Sequence, residues 1–171
     1  MGVVIRLETE LTDEERRTLF EWGEDIFGVR DKQFRWRPKD WHFLVEADGR
    51  VTTHVGVIKH TVRAGGREVT VGGIGGVVTV PEAQGNGLAQ RAMRHAAEFM
   101  CDELQVEFGM LFCEDRLVPF YARLGWRKVE DEVEFEQEAG PVVSPFNVMV
   151  LPCGEGREWP AGRVEIGGLP W

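Results

Sequence analysis

Asp48-Gly49 and Gly65-Gly66 cut the stretch from Trp41 to Val80 into three β-rich runs: WHFLVEA, RVTTHVGVIKHTVRA and REVTVGGIGGVVTV. Asp-Gly and Gly-Gly between β-branched runs favour the left-handed backbone of two-residue hairpins. Strands joined by such turns fold back on one another, so the middle of the chain is held to an antiparallel meander. The flanks read around it. Val3 to Leu7 forms a strand. LTDEERRTLFEWGEDIF reads as one helix, opened by a capping box of Thr12 and Glu15, with Leu19, Trp22 and Ile26 on one face. GVRDKQFRWRPKD is a basic, aromatic loop. A helix begins at Gly87 and carries an apolar stripe of Leu88, Ala92, Ala96 and Phe99. FGMLF is a buried strand, and RLVPFYARLG is a short helix stopped by Gly125. Val129–Gln137 and Asn147–Leu151 read as a last strand pair, with Pro141 and Pro145 between them. A meander followed by a βαβ crossover gives an α+β fold: one mixed, mostly antiparallel sheet with helices on both faces.

The 171 residues are 43% hydrophobic, with no linker-like composition and no repeat, so residues 1–171 are read as a single domain. No apolar run reaches the roughly 20 residues of a membrane span. The N-terminus lacks the basic start and apolar stretch of a signal peptide. A net charge of −9 argues against nucleic-acid binding. Cys101, Cys113 and Cys153 are scattered and odd in number, which reads as reduced thiols in a cytoplasmic protein. The histidines show no ligand spacing, so no metal is expected. In EDEVEFEQE, Val133 and Phe135 alternate with glutamates, the pattern of a half-buried strand rather than a cation site. Nothing in the residues decides between a monomer and a homodimer.

VTVPEAQGNGLAQRAMRHAAEF passes from a strand through two glycines into a helix. The first N–H groups of a helix have no internal acceptor, and the helix dipole adds positive charge there. Glycines let a bulky anion approach that backbone. Gln84 to Ala89 is thus a candidate phosphate cradle. It is not a P-loop, since no Gly-Lys-Ser/Thr follows. It is not a dinucleotide fingerprint either, since Gln90 stands where a third small residue is needed.

Gln84-x-x-Gly87-x-Ala89, after a β-branched strand and Pro81, resembles the pyrophosphate-binding motif of the GNAT acyltransferases. PFYARLGW lies at that family's usual distance downstream, and the resemblance covers roughly residues 40 to 130. It implies acetyl-CoA as cosubstrate, held by Gln84, Gly85, Asn86, Gly87, Leu88 and Ala89. Backbone groups of Val77, Val78 and Thr79 would then hold the pantetheine and the thioester carbonyl. Tyr121, the only tyrosine, falls at the family's general-acid position. Gly72, Gly73, Gly75 and Gly76 suit a bulge, a close backbone approach, or a flat patch beneath an aromatic ring. The tail REWPAGRV, with VLPCGEG before it, resembles the nodulation N-acyltransferases and the aminoglycoside 2′-N-acetyltransferases, whose acceptors are amino groups on sugars. The same residues also suit a turn packed on the sheet. Gly75 departs from the aminoglycoside enzymes, which carry a glutamate on the strand before the phosphate loop.

The expected function is acetyl transfer from acetyl-CoA to a primary amine on a small polar molecule, with an amino sugar or aminoglycoside first. Trp36 and Trp41 beside the loop could stack on a sugar, and the net acidity would attract an amine. Glu114 is the first candidate for the base, with Glu46, His54, His60 or a bound water behind it. A non-catalytic acyl-CoA sensor and an enzyme acting on peptide amines are the alternatives.

Overall fold

The structure, a computed structural model, describes residues 2–24, 26, 27 and 33–171. In chain order the elements are β1 (Val3–Glu8), α1 (Asp13–Phe20), β2 (Trp41–Ala47), β3 (Arg50–Ala64), β4 (Arg67–Thr79) and α2 (Leu88–Glu98). There follow β5 (Phe108–Cys113), α3 (Val118–Arg123), β6 (Arg127–Lys128), β7 (Val133–Gln137), β8 (Gly140–Val143), β9 (Asn147–Pro152) and β10 (Val164–Glu165).

The meander forms as its turns require. Asp48 and Gly49 take φ of 52° and 80°, and Gly65 and Gly66 take 57° and 81°. These are the positive dihedrals that make β2–β3 and β3–β4 two-residue hairpins. The sheet runs β6-β9-β5-β4-β3-β10-β7-β8, with β2 and then β1 attached to β3 beside β10. Among the described residues only β4–β5 and β10–β7 are parallel, so the mixed, mostly antiparallel sheet is as expected.

Side-chain alternation sorts the helices onto opposite faces. Phe43 and Val45 of β2 pack with Leu88, Ala92, Met93 and Ala96 of α2 in one core cluster. Leu44, between them, packs with Leu19 of α1 in another. A third cluster, around Phe108, Phe135, Val164 and Trp171, closes the far half of the sheet.

Three features differ from expectation. The first helix keeps its capping box, with Glu15 N–H donating to Thr12 Oγ1 at 3.1 Å, but ends at Phe20. Trp22 and Ile26 leave the helical stripe and line the cavity described below, while residues 25 and 28–32 of this region lie outside the described residues. Of the strand expected over Val129–Gln137 only Val133–Gln137 forms, as β7 paired with β8, while β6 lies just before that range and pairs with β9. Pro141 sits within β8, which a proline tolerates because β8 is the sheet's last strand. The tail supplies an unforeseen strand, β10, parallel to β7 and antiparallel to β3. Gly65 makes that docking possible, because a Cβ there would lie 2.1 Å from the Ala161 carbonyl oxygen.

The reading of three reduced thiols is also corrected. Cys101, in a π-helical turn after α2, is disulfide-bonded to Cys153, just after β9. Only Cys113 is free. The two bonded residues are 52 positions apart, a proximity that sequence spacing could not reveal.

Candidate active site

The parallel pairing of β4 with β5 runs from Val71–Phe108 to Ile74–Leu111 and stops. On the other side, His54 faces Val78 but Gly56 faces Gly75, so Gly76 and Val77 together oppose Val55. That extra residue is a β-bulge, and Gly76 takes the φ of +61° that it needs. The bulge bends β4 away from β5. From Gly75 to Thr79 the β5-facing edge of β4 has no strand partner among the described residues, and a cleft of about 800 Å³ opens there.

The other glycines of β4 are spaces filled by neighbours. A Cβ on Gly72 would meet Met100, and one on Gly73 would lie 2.5 Å from the Trp171 indole. At Gly75 it would lie 2.5 Å from Lys39 Cε and 2.8 Å from the Trp171 carbonyl carbon. Bulge, close backbone approach and flat aromatic patch are thus each realised, at different glycines.

At the mouth of α2, Gly85 and Gly87 have φ of +82° and +73°, so each glycine is required by its backbone as well as by space. A Cβ at Gly85 would meet nothing within 4 Å, and one at Gly87 only the Gln90 side chain at 3.9 Å. No side chain among the described residues caps the helix, which leaves its first N–H groups without an acceptor there. Gln84, Gly85, Gly87, Leu88 and Ala89 line the cleft together with Val77, Val78 and Thr79. Asn86 does not, and its amide instead donates to the Ala83 carbonyl at 3.1 Å. Gln84 Nε2 donates to the Thr79 carbonyl at 2.9 Å and ties the loop to the end of β4. An uncapped helix start behind two left-handed glycines fits a pyrophosphate, and the free edge of β4 fits an extended pantetheine.

Tyr121 enters the cleft from α3 and is 5% exposed. Burial, with a smaller contribution from the nearby Cys113 thiol, pushes its phenol well above the usual range, so it is protonated at neutral pH. Burial and the carboxylates of Asp115 and Glu114 likewise raise the Cys113 thiol to about 11. Glu114 also lines the cleft, but its Oε2 accepts from Arg116 Nε at 2.9 Å.

The remaining base candidates are occupied elsewhere. Glu46 pairs with Arg6 at 3.3 Å. His60 lies between the Ile166 carbonyl, 2.7 Å from Nε2, and Arg37 Nη1, 2.9 Å from Nδ1. His54, 2% exposed, has Nδ1 2.6 Å from the Gly76 carbonyl and Nε2 2.8 Å from His42 Nδ1. A carbonyl only accepts, so His54 Nδ1 carries the proton and its bare Nε2 accepts from His42 Nδ1–H. Burial holds His54 down at about 4, and so keeps it neutral. It is a strut that pins the bulge.

Two features were not foreseen from sequence. The His42–His54 pair is one, and Lys39 is the other. The Lys39 stem lies between Gly56 and Gly75, and its ammonium donates to the Arg37 carbonyl at 2.8 Å. Burial, then the Arg37 charge, lowers it to about 8. Lys39 lines both the cleft and a second cavity of about 580 Å³ on the α1 side of the bulge.

This geometry agrees with the comparisons to known proteins. A family model described as an acetyltransferase (GNAT) domain matches residues 9–129. The fold is shared with an N-acetyltransferase (YhbS) from Escherichia coli solved with CoA, at TM-score 0.61 and 17% identity over 96% of this chain and 89% of that one. It is shared with ElaA from Escherichia coli at TM-score 0.59 and 17% identity, over 88% and 99% of the two chains. A GNAT acetyltransferase from Brucella melitensis, solved with acetyl-CoA, matches at TM-score 0.55 and 18% identity over 94% of each chain. No curated protein matches significantly. The chain belongs to the GNAT family of acetyltransferases. The narrower likeness of its tail to the sugar-acylating branches has no counterpart in these matches. Among the described residues no group of side chains is arranged to hold a metal, and no helix is long and apolar enough to cross a membrane.

Proposed function

We propose that this chain acetylates a primary amine on a small polar molecule, with the donor seated along the free edge of β4. The carrying observation is a single cleft lined by the uncapped α2 start, the unpaired Gly75–Thr79 edge and the protonated Tyr121. Bound acetyl-CoA supplies an activated thioester. The α2 N–H groups and dipole hold its diphosphate. Backbone N–H groups around Val77 to Thr79 are held in place before the reaction, at the bulge that His54 braces, and can stabilise developing negative charge. The Tyr121 hydroxyl has no protein hydrogen-bond partner among the described residues and is available to protonate the leaving sulfur. Glu114 or a water serves as base, and the Arg116 pairing favours the water by holding that carboxylate.

The acceptor is proposed to be a single amine beside an aromatic wall of Trp22, Trp36 and Phe146, a surface suited to a sugar ring. A polycationic aminoglycoside suits the cleft poorly. Its Gly75 position is filled by Lys39 and Trp171, so an ammonium stands where the aminoglycoside branch has a carboxylate. Release of free thiol from acetyl-CoA on amino sugars, amino acids, polyamines and peptide amines tests the reading. CoA binding without turnover on any of them would support a sensor instead.

A further inference from the structure

The chain carries net charge −9, yet the cavity on the α1 side of the bulge is basic. Its charged walls are Arg16, Lys39 and a single carboxylate, Glu10, with His42 between them. Of the other acidic groups nearby, Arg6 holds Glu8 at 2.9 Å, Glu46 at 3.3 Å and Glu15, and Asp40 acts on His42 without lining the cavity. Neither Arg16 nor Lys39 has a carboxylate partner among the described residues. Lys39 uses one of its three N–H donors on the Arg37 carbonyl and has two left, in a largely buried place. A buried ammonium without a counter-charge is costly, and an arriving anion would offset that cost.

The position matters as much as the charge. Lys39 and Gly76 line this cavity and the donor cleft alike. A molecule whose amine reaches the bulge therefore has its far end within reach of Lys39. We propose that this cavity is the acceptor's anion subsite, so that the acceptor is a primary amine also bearing a carboxylate or phosphate, gripped by Lys39 and Arg16. His42 adds a polar wall to the same subsite: its Nδ1–H is committed to His54, and its Nε2 remains for a hydroxyl or acidic proton of the ligand. Partial burial, then the cations Arg16 and Lys39, hold His42 below its ordinary range against the opposing carboxylates of Asp40 and Glu15, and an arriving anion would add to that opposition. This inference rests on the acyl-transfer reading and deepens it by naming the acceptor's second group.

The test uses acceptors with and without an anion: glucosamine against glucosamine 6-phosphate and glucosaminic acid, and alaninamide against alanine. Thiol release from acetyl-CoA is followed with wild type, Lys39→Met and Arg16→Gln. Lys39→Met keeps an unbranched apolar stem between Gly56 and Gly75, and Arg16 is exposed on α1, so neither change removes core packing. The anionic member of at least one pair should be preferred in kcat/KM by about tenfold or more, as expected for a charge-assisted contact. Both variants should lose that preference through KM, with CoA affinity unchanged by calorimetry. A neutral member equal to or better than its partner in every pair overturns the proposal, as does a preference that survives both substitutions. If no amine is turned over, the acyl-transfer reading fails, and the subsite is judged by titrating the CoA-loaded protein with the three acids. Binding by wild type and not by Lys39→Met then upholds the subsite, and no binding overturns it.

Discussion

Acid should weaken this protein through His54, by an amount the structure sets. His54 is buried against Phe20, whose ring meets it edge-on at 5.1 Å, and is held at about 4 instead of 6.5. The unfolded chain takes up a proton near 6.5 and the folded chain does not, so unfolding binds a proton throughout that window. Stability from this group is complete above pH 6.5, falls as the pH drops, and is lost once the pH passes below about 4. At about 1.4 kcal/mol per pH unit, the loss is about 3 kcal/mol across the whole window and 2–3 kcal/mol between pH 7 and pH 4.5. Protonation also turns His54 Nε2 into a donor facing the His42 donor, which adds to the cost. The assay is urea unfolding at both pH values for wild type and His54→Asn, whose amide can still donate to the Gly76 carbonyl but does not titrate. Carboxylate titrations are common to both and cancel in the comparison. The advantage of wild type over His54→Asn should shrink by about 2–3 kcal/mol at pH 4.5. Parallel losses in the two proteins, or an imidazole NMR titration of His54 near 6.5, would refute the reasoning.

Other expectations follow from the same geometry. Tyr121→Phe should lower turnover by about 10²- to 10⁴-fold while leaving the dissociation constant of CoA unchanged, and near-normal turnover would remove the phenol from the chemistry. Gly75→Glu should destabilise the fold by roughly 1–3 kcal/mol or more, because its Cβ would meet Lys39 and the Trp171 backbone; a thermal midpoint equal to wild type would contradict the packing described. Thiol titration of the denatured, unreduced protein should find one reactive cysteine, Cys113, and three after reduction. Severing the Cys101–Cys153 bond, which closes a 52-residue separation, should cost about 4 kcal/mol of stability, read from unfolding with and without reductant.

The fold was legible in the sequence wherever local chemistry determines the backbone. Asp48-Gly49 and Gly65-Gly66 specify their turns, Thr12 and Glu15 specify a helix start, and Gly85 and Gly87 mark the strand-to-helix loop. What stayed hidden depends on long-range register. Counting back from the Asp48-Gly49 turn without interruption would set His42 opposite Val55. A bulge between Val45 and Glu46 shifts the pairing, so that Leu44 meets His54 and His42 meets Gly56. That one-residue shift changes which side chains share a face, and it brings His42 against His54. The tail strand β10 is two residues long and needs two partners distant in sequence, so no periodicity could announce it. Lys39 looked like any loop lysine, because its burial is created by Gly56 and Gly75 on two other strands. The overall acidity suggested a cationic acceptor, whereas the charges beside the bulge are locally reversed.

The central claim is that CoA is held by the backbone at the start of α2, with its thioester end at the bulge. Calorimetric titration of CoA into wild type, Gly87→Ala and Gly87→Glu tests it most directly. Gly87 has φ of +73°, so both substitutions carry the same backbone strain, and only glutamate adds negative charge and bulk where the diphosphate would sit. The account predicts that Gly87→Glu binds CoA at least about tenfold more weakly than Gly87→Ala. Equal affinity for CoA in the two folded variants would contradict it.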